Sequence, residues 1–255
     1  EEFPGRPSEA SHVPSVCQAF GRGVTGGDTA ALALTLDKWQ TKGVLKLWGV
    51  PVPEGVTVPP GGEIPRLGWT GRCIVKPAAT DASEGIEADA VLDAGDGAGL
   101  AAVVRKLHER FRQPALIEQY VGHREFNVSV LDTVGGLRVL PVAEIDFSHF
   151  KPEQPRVVDY AAKWQSDSFG FHHTDRMIPA PITAEQAAEI RRVCGLSWRA
   201  TGCRGYARVD LRMDEAGRLY VLEVNVNPDI SPDAGFAAAL AAAGIPYEEF
   251  VAGSV

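Results

Sequence analysis

The sequence predicts an α+β fold, and three patterns carry that expectation. Two strand-like runs, YARVDLRM and RLYVLEVNV, follow one another across the short turn DEAG and read as an antiparallel hairpin. FNVSVLD and GGLRVLPVAEIDF repeat the arrangement, with Gly135 and Gly136 at the turn. Helical spacing is confined to other stretches, as where Leu100, Val103, Val104, Leu107 and Phe111 recur. Antiparallel hairpins with helices kept apart from them make an α+β pattern. With 255 residues, 45% apolar and 23% charged, the chain can build one large domain or two smaller ones.

Taken in order, Asp28 is placed to cap a first helix whose Leu32, Leu36, Trp39 and Gly43 lie along one side. Lys38 and Lys42 share another face by i,i+4 spacing, and Gly49 with VPVP ends the helix. The Pro/Gly-rich loop VPPGGEIPRLGW leads to a short strand, CIVKP, stopped by Pro77. Lys76 therefore sits at a strand end, ahead of the small, polar loop TDASEGIE. ALIEQYV, after the Leu100 helix, is strand-like. Across residues 148–181 neither period holds, and so long an unpatterned stretch inside a domain is expected to close over a site. It is a candidate lid carrying Lys163. Thr183 and Gln186 form a capping box for a helix running to about residue 200 and ended by Gly202. A small-residue helix and a short terminal one close the chain.

A net charge of -8 argues against nucleic acid as the main partner, so any anionic ligand must be held by a few local cations. No run approaches the roughly 18 apolar residues of a membrane span. Cys17, Cys73, Cys194 and Cys203 lack metal-type spacing and read as reduced thiols of a cytoplasmic protein. The opening EEFPGRPSEA carries neither Met nor a signal sequence, which points to a fragment or a processed chain.

The last hairpin concentrates the chemistry. With DEAG as a four-residue loop, Arg208 falls opposite Glu223 and Asp210 opposite Val221. Alternation then projects Arg208, Asp210, Glu223 and Asn225 from one face, together with Leu219 and Val221. An odd loop without a compensating bulge would split this set. Two carboxylates and an amide oxygen are hard donors suited to Mg²⁺ that also holds phosphate oxygens, with Arg208 as a charge clamp. The alternative is a solvated polar face, against which Leu219 and Val221 speak. Lys38 and Lys76 are either phosphate-neutralising point cations or solvated surface lysines. Neither GRGVTGGD nor DASEG matches a P-loop. His172 and His173, without a third ligand nearby, read as solvated loop residues.

The ordered set LDKWQTK, CIVKPA, ASEG, LIEQYVGHREF, DYAAKW, GCRGYARVDLRM and YVLEVNVNP resembles the ATP-grasp superfamily, specifically its D-alanine:D-alanine ligase-like branch, from about Gly23 to the C-terminus. The resemblance implies two α+β subdomains gripping ATP, residues 31–117 and 118–255, with the lid at about 148–181 and residues 1–30 as a truncated remnant of an N-terminal α/β domain. It implies that Lys38 and Lys76 hold nucleotide phosphates and that Ser83 and Gly85 belong to a flexible loop folding over them. Glu118, Tyr120 and Val121 would contact adenine, Glu125 the ribose, and Lys163 the terminal phosphate. Asp210, Glu223 and Asn225 would hold two Mg²⁺ ions, with Mn²⁺ as a substitute, and Arg208 would act in catalysis with Lys163 and Ser83. The implied activity is cytoplasmic, ATP-dependent amide or peptide bond formation between a small-molecule carboxylate and an amine, through an acyl phosphate, in a chain able to form a homodimer. A nucleotide-binding but catalytically silent module is the alternative.

Two positions depart from the family. After the Asn ligand, relatives carry a Pro-Gly turn and then a serine for the second substrate's carboxylate, where this chain has Asp229 and Ala234, with Asp233 beside the latter. Added carboxylates repel an acceptor carboxylate unless an Arg or Lys intervenes, so a different acceptor is expected, cationic or lacking a free carboxylate. Otherwise Asp229 and Asp233 are turn and cap residues, Asp233 being a natural N-cap.

Overall fold

A computed structural model of the chain describes residues 7–253. The expected N-terminal remnant therefore lies partly outside the described residues. Its described part is a 3₁₀ turn (Pro7–Ser11) and α1 (His12–Ala19). Asp28 accepts from the Ala30 and Ala31 N–H groups and starts α2 (Thr29–Leu36). The single helix expected beyond it is in fact two. Asp37 is extended (φ -84, ψ 102) and caps α3 (Lys38–Leu47) through the Trp39 and Gln40 N–H groups. An Asp competes with the helix for backbone donors, so a second cap restarts the helix and puts Lys38 and Lys42 together on α3.

β1 (Gly55–Val58), β2 (Arg72–Pro77), β3 (Val91–Asp93), α4 (Gly97–Phe111) and β4 (Ala115–Gln119) form the first unit, with antiparallel strand order β1-β4-β2-β3. Leu100, Val103, Val104 and Leu107 of α4 pack with Val75 and Ile117 of the sheet. β1 and β3, four and three residues long, are too short to display alternation and were not expected.

The second sheet takes β5 (Arg124–Thr133), β6 (Gly136–Val139), β7 (Ala143–Ile145), β8 (Arg176–Met177), β9 (Tyr206–Met213) and β10 (Leu219–Asn225), in the order β10-β9-β5-β7-β8 with β6 also on β5. The expected single return strand divides at Pro141, which has no N–H to donate. β6 then pairs with the far end of β5, and β7 with Phe126 and Asn127. The lid stretch is not structureless as expected: it holds α5 (Tyr160–Trp164), α6 (Phe169–His172) and β8. Each helix is shorter than two turns, so no periodicity could reveal it, and each relies on a cap, Asp159 on the Ala162 N–H and Ser168 on the Phe171 N–H. α7 (Ala184–Thr201) carries the expected capping box and ends at Gly202 (φ 68).

The pairing expected for the last hairpin is wrong, although the one-face outcome survives. Asp214 accepts from the Ala216 and Arg218 N–H groups and holds the Arg218 Nε at 2.7 Å, closing an odd loop in which Met213 faces Leu219. Val221 then pairs with Leu211, and a bulge at Leu222 shifts the register so that Glu223 faces Asp210 and Asn225 faces Arg208. Leu219 and Val221 thus leave the polar face and enter the core beside Leu211 and Met213. α8 (Gly235–Ala242) and α9 (Tyr247–Gly253) follow, with Phe236 and Phe250 packed against Tyr206. Ala234 occupies the N-cap of α8 without a side-chain cap, so the expected capping by Asp233, one residue too early, does not occur. Among the described residues no helix is long and apolar enough to cross a membrane, and all four cysteines are free.

Candidate active site

Because paired residues share a face, β9 and β10 present Arg208, Asp210, Glu223 and Asn225 together, and β5 adds Asn127 opposite Asp210 and Glu125 opposite Arg212. Arg208 grips Asp210 with Nε and Nη2 at 2.7 and 2.8 Å and lies 3.9 Å from Glu223. Asn127 Nδ2 donates to Asp210 Oδ1 at 2.9 Å. Burial opposes the charge on Arg208, but Asp210 and Glu223 outweigh it and raise its pKa. For Glu223 burial pushes the pKa up, while Lys38, Lys163 and Arg208 together prevail and hold it at about 2. Its carboxylate is therefore ionised at neutral pH. Asn225 Oδ1 accepts from the Asn227 N–H at 2.9 Å.

Three lysines meet this face from α3 and β2. Lys38 donates to the Thr80 carbonyl and stands 3.7 Å from Glu223 Oε2. Lys76 lies 2.6 Å from Glu118 Oε1, and Lys42 lies 3.2 Å from Glu118 Oε2. Lys42 also donates to the carbonyl of Leu222, the bulged residue of β10. The Glu118 side chain is 1% exposed and that of Lys42 3%. Burial lowers the Lys42 pKa to about 8, with Glu118 opposing the drop. Asp81, in the loop after β2, joins the cluster, its pKa raised by burial against the pull of Lys38. Sequence reading singled out neither Lys42 nor Asp81 as a site residue. The i,i+4 relation to Lys38 was a usable signal for Lys42, whereas Asp81 had none.

The small-residue loop and the lid are docked on each other. Ser83 Oγ donates to the Val158 carbonyl at 2.8 Å, Trp164 Nε1 to the Ala82 carbonyl at 3.1 Å, and the Tyr160 N–H to the Ile86 carbonyl at 2.9 Å. Ala82 and Ser83 both adopt left-handed backbone (φ 55 and 62), which costs on the order of 1 kcal/mol or more each. At Gly85 (φ 77) a Cβ would meet Pro77 Cγ at 2.5 Å and Phe111 Cε2 at 2.8 Å, so only glycine fits. α5 carries Lys163 into electrostatic range of Glu223, Glu125 and Asp81.

At the linker between the sheets, the guanidinium groups of Arg72 (5.1 Å) and Arg212 (4.7 Å) lie over the Tyr120 ring, and its oxygen accepts from the Arg156 N–H at 2.8 Å. The Val121 carbonyl accepts from Arg212 at 3.4 Å. Glu125 pairs with Arg212 Nε at 3.3 Å, and burial raises its pKa against that attraction. Glu118, on β4, turns its carboxylate to Lys76 and Lys42.

Beyond β10, Asp229 Oδ1 accepts from the Ser231 hydroxyl at 2.6 Å and the Ser231 N–H at 2.9 Å. Those bonds lower its pKa, and Arg208 and Arg176 add to the effect. The Arg176 guanidinium rests against Gly235 at the start of α8. Asp233 is exposed beside it. Among the described residues no group of three or more His, Cys, Asp or Glu converges, so the oxygen donors on offer are Asp210, Glu223 and the Asn225 amide. The His173 ring stacks on Phe169 at 4.2 Å.

Two antiparallel α+β units that close lysines, carboxylates and an arginine between them define the ATP-grasp class. Within it, residues 68–254 match the family described as D-ala D-ala ligase C-terminus, and the chain belongs to that family. An uncharacterized protein of Sinorhizobium fredii, y4sG, is 30% identical over 95% of this chain and 68% of its own length. The D-alanine–D-alanine ligase of Haemophilus influenzae is 29% identical over 97% of this chain and 78% of its own. The crystal structure of the Bacillus anthracis D-alanine–D-alanine ligase complexed with ATP superposes with a TM-score of 0.75 over 98% of this chain and 75% of that one, and at 21% identity it carries the fold alone.

Proposed function

We propose that the chain is an ATP-dependent carboxylate–amine ligase that forms an amide or peptide bond through an acyl phosphate, with an acceptor other than D-alanine. The observation that carries this reading is the meeting of Lys38 from α3 and Lys76 from β2 with Arg208, Asp210 and Glu223 from β9 and β10. The gripping subdomains follow the two sheets, β1–β4 with α4 and β5–β10, with Ala31, Leu45, Val50 and Val52 packed into the core of the second. ATP as co-substrate and four free cysteines support a cytoplasmic setting.

A carboxylate is a poor electrophile. Its oxygen attacks the γ-phosphorus of ATP, the bond to ADP breaks, and ADP leaves. The amine lone pair then attacks the acyl carbon, the C–O bond to phosphate breaks, and the nitrogen loses a proton. Lys38, Lys76 and, from the lid, Lys163 neutralise phosphate charge, with Ser83 and Gly85 shaping the loop above it. Arg208 offers N–H donors to the tetrahedral oxyanion. Tyr120 and Val121 line the adenine position, with Glu118 beside them turned to Lys76 and Lys42, and Glu125 lines the ribose hydroxyls. Asp210, Glu223 and Asn225 fit a divalent cation, since all three are hard oxygen donors on one face and Glu223 is ionised. Mg²⁺ held there would supply further neutralisation of phosphate charge. Asp229 and Asp233, on the turn after Asn225, disfavour an acceptor that bears a free carboxylate.

The test is ADP release from MgATP against a panel of amino acids, dipeptides and simple amines, with products weighed by mass spectrometry. A new amide mass with stoichiometric ADP supports the ligase and names its substrates. Binding of ATP with no ADP from any pairing overturns it in favour of a catalytically silent nucleotide-binding module.

A further inference from the structure

We infer that Lys42 is a positioning residue: its charge, 3.2 Å from Glu118, keeps that carboxylate from neutralising Lys76 in full beside the ATP phosphates, and by holding the Leu222 carbonyl it ties β10 to β4. This rests on the proposed ATP-dependent reading of the cleft.

Glu118 is the carboxylate between the two ammonium groups, one oxygen for each, at 2.6 Å from Lys76 and 3.2 Å from Lys42. One negative charge cannot neutralise two positive ones, so the trio keeps a net positive charge beside the phosphate position. Without Lys42, Glu118 and Lys76 would form a closed, neutral pair with little attraction left for an anion. The other contact of Lys42 points the same way. The bulge at Leu222 interrupts the β10–β9 pairing, and the carbonyl of that residue, adjacent to Glu223, accepts from Lys42. One ammonium on α3 therefore touches the partner of the phosphate lysine and the residue preceding the metal-facing carboxylate. A link serving stability alone would not need this charge, because an apolar chain of the same length fills the space between α3 and the sheets without desolvating an ion.

Calorimetric titration with MgATP, accompanied by thermal melts, compares the wild type with Lys42→Met, Glu118→Gln and the double variant. Lys42→Met is expected to weaken MgATP binding by about tenfold or more, the scale of one charge-assisted contact. The double variant is expected to recover most of that loss, since no carboxylate remains to neutralise Lys76. A purely structural role predicts the reverse, with the double variant worse than either single one. Unchanged affinity in Lys42→Met, or a double variant no tighter than Lys42→Met, overturns the inference. Should Lys42→Met not fold, Glu118→Gln decides alone: tighter binding than the wild type supports the role, and equal or weaker binding overturns it. A folded wild type that does not bind MgATP overturns the ATP-dependent reading itself, an outcome distinct from the others.

Discussion

Arg208 holds Asp210 through a two-point fork, 2.7 and 2.8 Å, while Asn127 takes up the same carboxylate from the neighbouring strand. Only a planar guanidinium makes that fork while one of its two forking nitrogens, Nη2, also stands 3.9 Å from Glu223. Lysine would keep the charge and lose the geometry. In Arg208→Lys, kcat for ADP formation is therefore expected to fall by about 100-fold, roughly 2.7 kcal/mol, with a much smaller change in KM for MgATP. Steady-state kinetics separate the two, and a change confined to KM would mean that Arg208 binds nucleotide without serving the chemical step.

Among the described residues Glu223 makes long ion pairs, at 3.7 Å to Lys38 and 3.9 Å to Arg208, and its side chain is 25% exposed. It contributes little packing, so its ionised oxygens are available to a cation. Glu223→Ala is expected to remove ADP formation, by at least about 10³-fold. The melting temperature should move by only a few degrees, because no core side chain is lost. Unchanged ADP formation in the folded variant would sink the metal assignment.

How far the chain could be read before its structure depended on the length scale of each signal. The capping box at Thr183 and the polar run from Arg208 to Asn225 are local patterns, and both stand in the fold. The pairing of that hairpin was not readable, because Asp214 closes an odd loop and Leu222 bulges to restore the phase. The two irregularities cancel in the outcome and leave no mark in the sequence. The second cap at Asp37 was in plain view but was submerged in continuous helical spacing. β1, β3, α5 and α6 are too short to carry a period, and tertiary contacts such as Trp164 to Ala82 hold the last region in place. Asp81 and Glu118 become neighbours of Lys38 and Lys76 only through folding, so their partners could not be assigned from spacing alone.

The Lys42 ammonium carries a stability cost whose pH dependence has a definite sign. Burial, opposed by Glu118, lowers its pKa from 10.5 to about 8 in the folded protein. Between those values the unfolded chain binds more protons than the folded one, so this group makes stability rise with pH across about pH 8 to 10.5. Below pH 8 the cost is present in full. Relative to Lys42→Met, the wild type should gain on the order of 2 kcal/mol between pH 8 and pH 10, at about 1.4 kcal/mol per pH unit less the shortfall near each pKa. Urea unfolding of both proteins at the two pH values measures the difference. A constant difference would mean that Lys42 titrates near its ordinary value and that Glu118 cancels the effect of burial.

Asp229 is the residue through which acceptor choice can be tested without disturbing the turn. Its carboxylate accepts from the Ser231 hydroxyl and N–H at 2.6 and 2.9 Å, a role that an amide oxygen can also fill. Asp229→Asn therefore keeps the turn and removes the charge, whereas Asp229→Gly would remove both. Arg176 and Arg208 already draw on this carboxylate, so neutralising it frees their positive potential for a substrate. The expected result is a fall of about fivefold or more in KM for amino acids with a free carboxylate, equivalent to about 1 kcal/mol, with amine acceptors that lack one unaffected. Equal shifts for both classes would show that the two arginines already neutralise Asp229 and that its charge does not set acceptor preference.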